Sequence, residues 1–461
     1  VAKQVAVVGG GWAGCTAAVE LAQAGHQVTL FEAARILGGR ARRISTDRRD
    51  LDNGQHIMLG AYAESLRLMR QVGVARDTAL LTLPLQMRYA PGNGGMDFVA
   101  PRLPAPLHLG LALLRATGLS AEDKMSLARF SSSARWMRWQ LNNDCSVAEL
   151  MERFDQTARL VQLMWRPLCL AALNTPPERA SANVFLAVLR DSLGAKRAAS
   201  DMLLPRADLS ALFPEAAAKW LQQRGCTVRA GAKVAGVLRT DAADGAAPAD
   251  AGGRAWRIDA SGAAVGGNWT SYYDAVVLAG SPAATAVLLH QHAETAGLAE
   301  QLTAFEHEPI TTCYLQYGPA VGLEQPFFAL IDDPASQRWG QFVFDRGQLD
   351  AAQQGLLAVV ISASGSAAAE GQDLLAEAVA VQLAEVFQRP ELGRPEWFKV
   401  ITEKRATYAC TPGMQRPANE TPLPGLVLAG DYTAGEYPAT IEMAVRSGAA
   451  AAKSLRSVLG R

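Results

Sequence analysis

The chain has 461 residues, 49% of them hydrophobic and 19% charged, which excludes disorder and collagen-like repeats and suits a globular protein of two or three folded units. Its 44 basic residues balance its 44 acidic ones, so no global field draws it to nucleic acid or to an anionic membrane. An apolar partner would have to be met by shape and by local patches.

The six cysteines, at positions 15, 145, 169, 226, 313 and 410, lie far apart and form no CxxC pair. The histidines do not cluster at metal-ligand spacing either, so a reduced cytoplasmic chain without disulfides or metal is expected. No basic leader, h-region or cleavage site precedes the first apolar run, which argues against secretion.

In chain order, Gln4 to Val8 reads as a strand, the glycines after it as a turn, Cys15 to Ala24 as a helix and Gln27 to Glu32 as a second strand, together a βαβ unit. Helical spacing covers Ala121 to Asn142, Val147 to Leu170, Asn183 to Leu193 and Gly371 to Phe387. Further strands are expected at Thr227 to Ala230, Val234 to Arg239, Trp256 to Asp259, Ala275 to Ala279, Thr312 to Tyr317, Gln341 to Phe344, Leu356 to Ile361 and Leu426 to Ala429. The Ala/Asp/Gly-rich stretch from Asp241 to Gly253 reads as the loop of a β-hairpin. Two uncharged runs, Ala275 to Ala293 and Ala351 to Ala369, approach bilayer-spanning length. Ser281-Pro282 breaks the first and Gln353-Gln354-Gly355 the second, so each reads as a buried strand followed by a turn. This order predicts an α/β fold. A Rossmann-like nucleotide domain would be assembled from 1–80, 205–289 and 415–461, with a discontinuous substrate domain of sheet and helices from 81–204 and 290–414.

The first strand runs into Gly9-Gly10-Gly11-Trp12-Ala13-Gly14, a GxGxxG turn between strand and helix. Gly9 permits the tight turn, Gly11 lets the backbone approach a pyrophosphate, and Gly14 lets helix and strand pack closely. The helix start at Trp12 and Ala13 would face the anion. Glu32, with Ala33 beside it, closes the second strand 18 residues after Gly14, where a carboxylate can accept both ribose hydroxyls of an adenosine.

The next residues, Arg35-Ile36-Leu37-Gly38-Gly39-Arg40, resemble the R-x-x-G-G-R segment of the flavin amine oxidase and phytoene desaturase superfamily. That resemblance implies FAD, with Gly38 and Gly39 backbone close to the cofactor and Arg35 and Arg40 flanking it, arginine near the pyrophosphate. Leu426-Val427-Leu428-Ala429-Gly430-Asp431, followed by Tyr437-Pro438-Ala439-Thr440-Ile441-Glu442, is similar to the matching far half. It implies that Gly430 and Asp431 lie near the ribityl-pyrophosphate and that the helix begun at Thr440 and Ile441 aims its amides at flavin N1 and O2. By the same resemblance Val234 would offer a backbone contact to adenine. Met443 stands where the superfamily commonly has glycine, which implies altered packing near the flavin pyrimidine.

A narrower resemblance rests on three stretches, Asp52 to Tyr62, Trp165 to Asn174 and Tyr437 to Glu442. These look like the squalene-associated FAD-dependent desaturases of hopanoid biosynthesis, the hydroxysqualene dehydroxylases. The implied reaction reduces hydroxysqualene to squalene: an allylic hydroxyl leaves as water and hydride from flavin N5 replaces it. His56 is the candidate proton donor for the departing oxygen, since imidazole titrates near neutrality; holding its own loop is the competing role. A long isoprenoid needs an apolar tunnel, for which Met125, Phe130, Trp136, Met137, Trp139, Met164, Trp165, Phe185, Phe327 and Phe328 are candidates, with plain core packing as the alternative. Leu103 to Leu119, apolar beyond one helical face, suggests either a monotopic membrane patch on the inner face of the cytoplasmic membrane or an internal lid. The sequence offers no second nicotinamide motif, so the electron donor is unspecified. Two other readings share these motifs: a carotenoid-type desaturase or amine oxidase running hydride the other way, and a non-enzymatic escort of isoprenoid chains.

Overall fold

The strands Gln4–Val8, Ala275–Leu278 and Leu426–Leu428 are apolar almost throughout, as strands covered on both faces must be. In the computed structural model, which describes residues 2–46, 48–92, 94–240, 252–262 and 265–460, they lie in one five-stranded parallel sheet. Its order is Thr227–Ala230, Gln27–Glu32, Gln4–Val8, Ala275–Leu278, Leu426–Leu428. The sheet therefore gathers three distant parts of the chain. The helix Trp12–Gln23 packs against the C-terminal helix Ile441–Leu459. A Cβ on Gly448 would stand 2.2 Å from the Ala13 carbonyl oxygen, so the two backbones approach where only glycine fits.

Lys233–Arg239, Trp256–Gly262 and Gly267–Tyr273 form a three-stranded antiparallel sheet. The first two make the expected hairpin, and 241–251 of its loop lie outside the described residues. A larger antiparallel sheet runs in the order Phe327–Ala329, Phe342–Asp345, Leu356–Ser362, His307–Gln316, Trp397–Tyr408. Its strands alternate as a sheet with two different faces should. Leu357, Val359 and Ile361 pack with Leu375, Val379 and Leu383 of the covering helix Gln372–Phe387, while Val360 and Ser362 face a cavity on the other side.

The helical segment departs from its sequence pattern in two places. The helix Ala121–Trp136, started by a Ser120–Asp123 capping box, stops short of Asn142 because the chain turns through Arg138 and Trp139 at φ 56° and 57°. The stretch from Val147 to Leu170 is not one helix. Val147–Arg153 ends at Asp155, φ 48°, and Thr157 caps a new start. The chain then winds as a π-helix over Val161–Trp165 before Arg166–Leu173. Pro167 has no N–H to return to the Leu163 carbonyl, and that oxygen accepts the Tyr89 hydroxyl at 2.8 Å instead.

The two uncharged runs also differ from expectation, since each strand is followed by a helix rather than a turn: Pro282–Leu289, capped by Ser281, and Gly365–Ala369. Among the described residues no helix is long and apolar enough to cross a membrane. All six cysteines are free and buried.

Candidate active site

At the end of the first strand the glycine turn is held by packing. A Cβ on Gly14 would lie 1.8 Å from the Gly9 carbonyl oxygen, so helix and turn are in direct contact there. Gly11 is different: a Cβ would meet only Gly39 backbone, Cα at 3.7 Å and N at 3.9 Å, and one on Gly39 would stand 3.2 Å from Gly11 Cα. The two glycine backbones come close together, and a bridge between Gly11 and Gly38 joins the turn to the segment that follows Glu32. No side chain caps the helix at Gly11, which leaves its first amides for an outside acceptor. The Glu32 carboxylate accepts from Gly10 N at 2.7 Å and Ala34 N at 2.8 Å, fixing it at the turn's edge.

Arg40 joins the two ends of the chain. It donates to Asp431 Oδ1 at 2.6 Å and to the Ala406 carbonyl at 2.7 Å. Burial opposes its charge, yet Asp431 beside it and Glu403 nearby hold the guanidinium pKa above its ordinary value. Asn53 donates to both the Arg40 carbonyl and the Glu403 carboxylate, at 2.9 and 3.0 Å. Arg416 bonds the carbonyls of Gly435 and Tyr437 and the Tyr408 hydroxyl, pinning the loop after Asp431. Thr440 caps the C-terminal helix through Met443 N.

These groups share one cavity of about 1700 Å³, larger than the roughly 300–1,000 Å³ usual for a single small-molecule pocket. Gly9, Gly11, Trp12, Ala13, Glu32, Ala33, Gly38, Gly39, Arg40, Val234, Gly430, Asp431, Thr440 and Ile441 all line it, as does His56. Two of the expected site residues do not: Gly14 is spent on packing against Gly9, and Arg35 stands exposed on the surface. Met443 is also off the wall, packed with Val188 and Tyr437.

His56 Nδ1 lies 2.7 Å from the Gly54 carbonyl, an acceptor, so Nδ1 carries the hydrogen and Nε2 is left bare in the neutral ring. Burial lowers its pKa, and the Arg40 charge adds to this against the opposing pull of Gly54.

Of the tunnel candidates, Phe130, Trp139, Met164, Trp165 and Phe185 line the cavity. Trp165 sits edge-on to Phe130 and Phe185, its indole N–H satisfied by Gln156 at 2.9 Å. Met125 and Trp136 are exposed, and Phe327 and Phe328 are core. Several wall residues carry no sequence signal of their own. Tyr62 and Asn174 sit inside the quoted motifs without an assigned role, and Glu403 and Thr407 come from the strand Trp397–Tyr408, which the sequence pattern missed. Asn174, at φ 47°, donates to Thr407 Oγ1 and accepts from Ala363 N, joining the helical wall to the sheet.

The uncapped helix start, the adjoining carboxylate and the glycine wall of Gly9, Gly11, Gly38 and Gly39 fit a dinucleotide laid along the turn. The remaining length of the same cavity is apolar. The family model for flavin containing amine oxidoreductases matches residues 12–456. A hydroxysqualene dehydroxylase of Sinorhizobium fredii is 30% identical, with 98% of this chain and 97% of the relative covered. A probable zeta-carotene desaturase of Synechococcus elongatus is 25% identical over 98% of both. Among solved structures, an oxidoreductase from Methanosarcina mazei has the same fold at 17% identity and TM-score 0.69, covering 98% of this chain and all of the other. Cyclohexylamine oxidase from Brevibacterium oxydans does so at 16% identity and TM-score 0.66, covering 100% of both chains.

Proposed function

This chain belongs to the flavin containing amine oxidoreductase family and, within it, to the hydroxysqualene dehydroxylases, and on that basis we propose that it reduces hydroxysqualene to squalene. It is an FAD-dependent oxidoreductase. The observation that carries the proposal is the continuity of the cavity, which runs from Gly11, Glu32 and Asp431 to Phe130, Met164 and Trp165 without a dividing wall.

The flavin, when bound, supplies the hydride that replaces the allylic hydroxyl. The chain's own residues do the rest. The helix start at Trp12, with the glycine backbone of Gly11 and Gly39 beside it, would receive the pyrophosphate, Glu32 the adenosine ribose, and Val234 the adenine edge. Arg40 and Asp431, locked to each other, fix the backbone at Gly38, Gly39 and Gly430, and the C-terminal helix presents Thr440 and Ile441 to the pyrimidine end. His56, in its imidazolium form with Nδ1–H held by Gly54, hands the Nε2 proton to the departing oxygen. Phe130, Trp165 and Phe185 hold the isoprenoid chain and exclude water, which keeps the site's charges unscreened. On this reading 1–80, 205–289 and 415–461 form the flavin-holding domain, and 81–204 and 290–414 the substrate domain.

The substrate enters from a membrane surface through 103–119. The helix Leu107–Arg115 is part of the cavity wall, and its Leu107 and Leu114 line the cavity while remaining 63% and 73% exposed. An electron donor outside the chain reduces the flavin between turnovers. The test is anaerobic: photoreduced protein is mixed with hydroxysqualene while flavin absorbance and squalene are followed together. Reoxidation in step with squalene supports the proposal; a flavin that stays reduced refutes it. The likeness to a zeta-carotene desaturase favours a second reading, with hydride flowing into oxidised flavin, and product analysis with phytoene separates the two.

A further inference from the structure

We infer that the cavity rim docks on an anionic phospholipid surface, with the helix Ala121–Trp136 supplying both the charge and an aromatic anchor. This rests on the reading of 103–119 as the point of entry and adds the chemistry of the surface it meets.

The two rim helices are tied together by Lys124, whose ammonium donates to the Leu114 carbonyl at 3.0 Å. Met125, Arg129, Ser132 and Trp136 follow one another at steps of four, three and four and so share one stripe. That stripe faces outward: Met125 is 60% and Trp136 87% exposed. Of the nine large apolar side chains exposed among the described residues, four are Leu107, Leu114, Met125 and Trp136, all on these two helices. Ser132 and Arg135 are exposed and also line the cavity, as Leu107 and Leu114 do, so the opening lies within this apolar surface. An indole with its ring exposed beside charged groups suits the boundary between headgroups and acyl chains.

Charge decides which membrane. Residues 101–140 contain six basic side chains, Arg102, Arg115, Lys124, Arg129, Arg135 and Arg138, against two acids, Glu122 and Asp123. The excess of four positive charges stands out in a chain whose total is zero. Asp123, one of the two acids already counted in that excess, is buried and held by Ser120 and Thr157 away from the stripe's outer surface. No ion pair joins any of the five arginines to a carboxylate among the described residues, although arginines elsewhere are widely paired. Each is free to meet a phosphate or acidic headgroup. A second copy of the chain would bring the same positive face against itself, which disfavours it as the occupant.

The test uses flavin-loaded protein and vesicles of phosphatidylcholine alone or mixed with phosphatidylglycerol, in flotation at low and raised salt. Binding is expected on the mixed vesicles, weakening with salt. Arg129→Gln should lower it about fivefold, and the double change with Arg138→Gln by the product of two such steps. Trp136→Ser should weaken binding to the mixed vesicles at either salt concentration. Equal binding to both vesicle types, insensitivity to the arginine changes, or a dimer in light scattering that buries this face would overturn the inference. Turnover of hydroxysqualene delivered in detergent micelles should be unaltered by Arg129→Gln. Squalene formation without vesicle selectivity sinks this inference alone, whereas vesicle selectivity without squalene formation sinks the substrate assignment alone.

Discussion

Arg40 and Asp431, 391 positions apart, meet at 2.6 Å on the wall of the cavity. The Asp431 side chain is 7% exposed and that of Arg40 35%, so the pair is shielded from water on one side only. Removing one partner of a fully buried pair costs about 3–5 kcal/mol. With Arg40 partly solvated, Asp431→Asn should cost about 2 kcal/mol in urea unfolding and lower the flavin-to-protein ratio. Arg40→Lys should fall between parent and Asp431→Asn, because an ammonium cannot reach both Asp431 and the Ala406 carbonyl as the guanidinium fork does.

Gly11 and Gly14 should separate flavin binding from folding. Gly11→Ala places its methyl in ordinary contact with Gly39 Cα at 3.7 Å, so the thermal midpoint of the flavin-free fraction should match that of the parent's. Gly11 nevertheless lines the cavity at the helix start assigned to the pyrophosphate, and flavin content should drop. Gly14→Ala meets a carbonyl oxygen at 1.8 Å, a backbone overlap that should cost about 3 kcal/mol or more. Its expected sign is loss of soluble protein before any specific loss of flavin.

The nucleotide-binding half was legible because its signals are local. Gln4–Val8 and Gln27–Glu32 are apolar runs that begin and end where the sequence pattern places them. The glycine turn between them obeys steric rules that need no tertiary context. Gly267–Tyr273 was missed because its partly exposed sequence, GNWTSYY, lacks a clean alternation. Trp397–Tyr408 was missed because lysines, arginine and glutamate interrupt it, and its pairing with His307–Gln316 shifts register between Glu308 and Ile310. That strand carries Glu403, Ala406 and Thr407 to the site, so the acceptors that hold Arg40 and Asn53 were invisible from sequence. The break at Asp155 was equally hidden, since helical spacing of apolar residues continues across it.

Asp52 is buried beneath the site, accepting from Leu209 N at 2.8 Å. Burial pushes its carboxyl from 3.8 up to about 6, with Arg346 pulling the other way. A carboxyl whose pKa is raised by folding stabilises the protein while protonated. Its contribution is complete below about pH 4 and is lost as pH rises through about 6. The two-unit shift corresponds to about 3 kcal/mol. Asp52→Asn keeps an oxygen for Leu209 and cannot ionise, so its stability relative to the parent should rise across this window. Urea unfolding of both proteins at several pH values reads that difference, and parallel curves would mean Asp52 ionises as freely folded as unfolded.

His56 makes a prediction about rate rather than stability. With Nδ1 committed to Gly54, the ring can donate from Nε2 only as imidazolium, and the lowered pKa keeps it neutral near pH 7. If His56 protonates the leaving oxygen, kcat/KM should climb as pH falls below 6.5, toward the depressed pKa. His56→Gln can preserve the bond to Gly54 but has no titrating proton. It should retain flavin, lose the acid limb, and turn over about a hundredfold more slowly, the lower end of what a positioned general acid contributes. An acid limb that survives in His56→Gln would reduce His56 to a residue that holds its loop, and the proton would have to come from another group on the same wall.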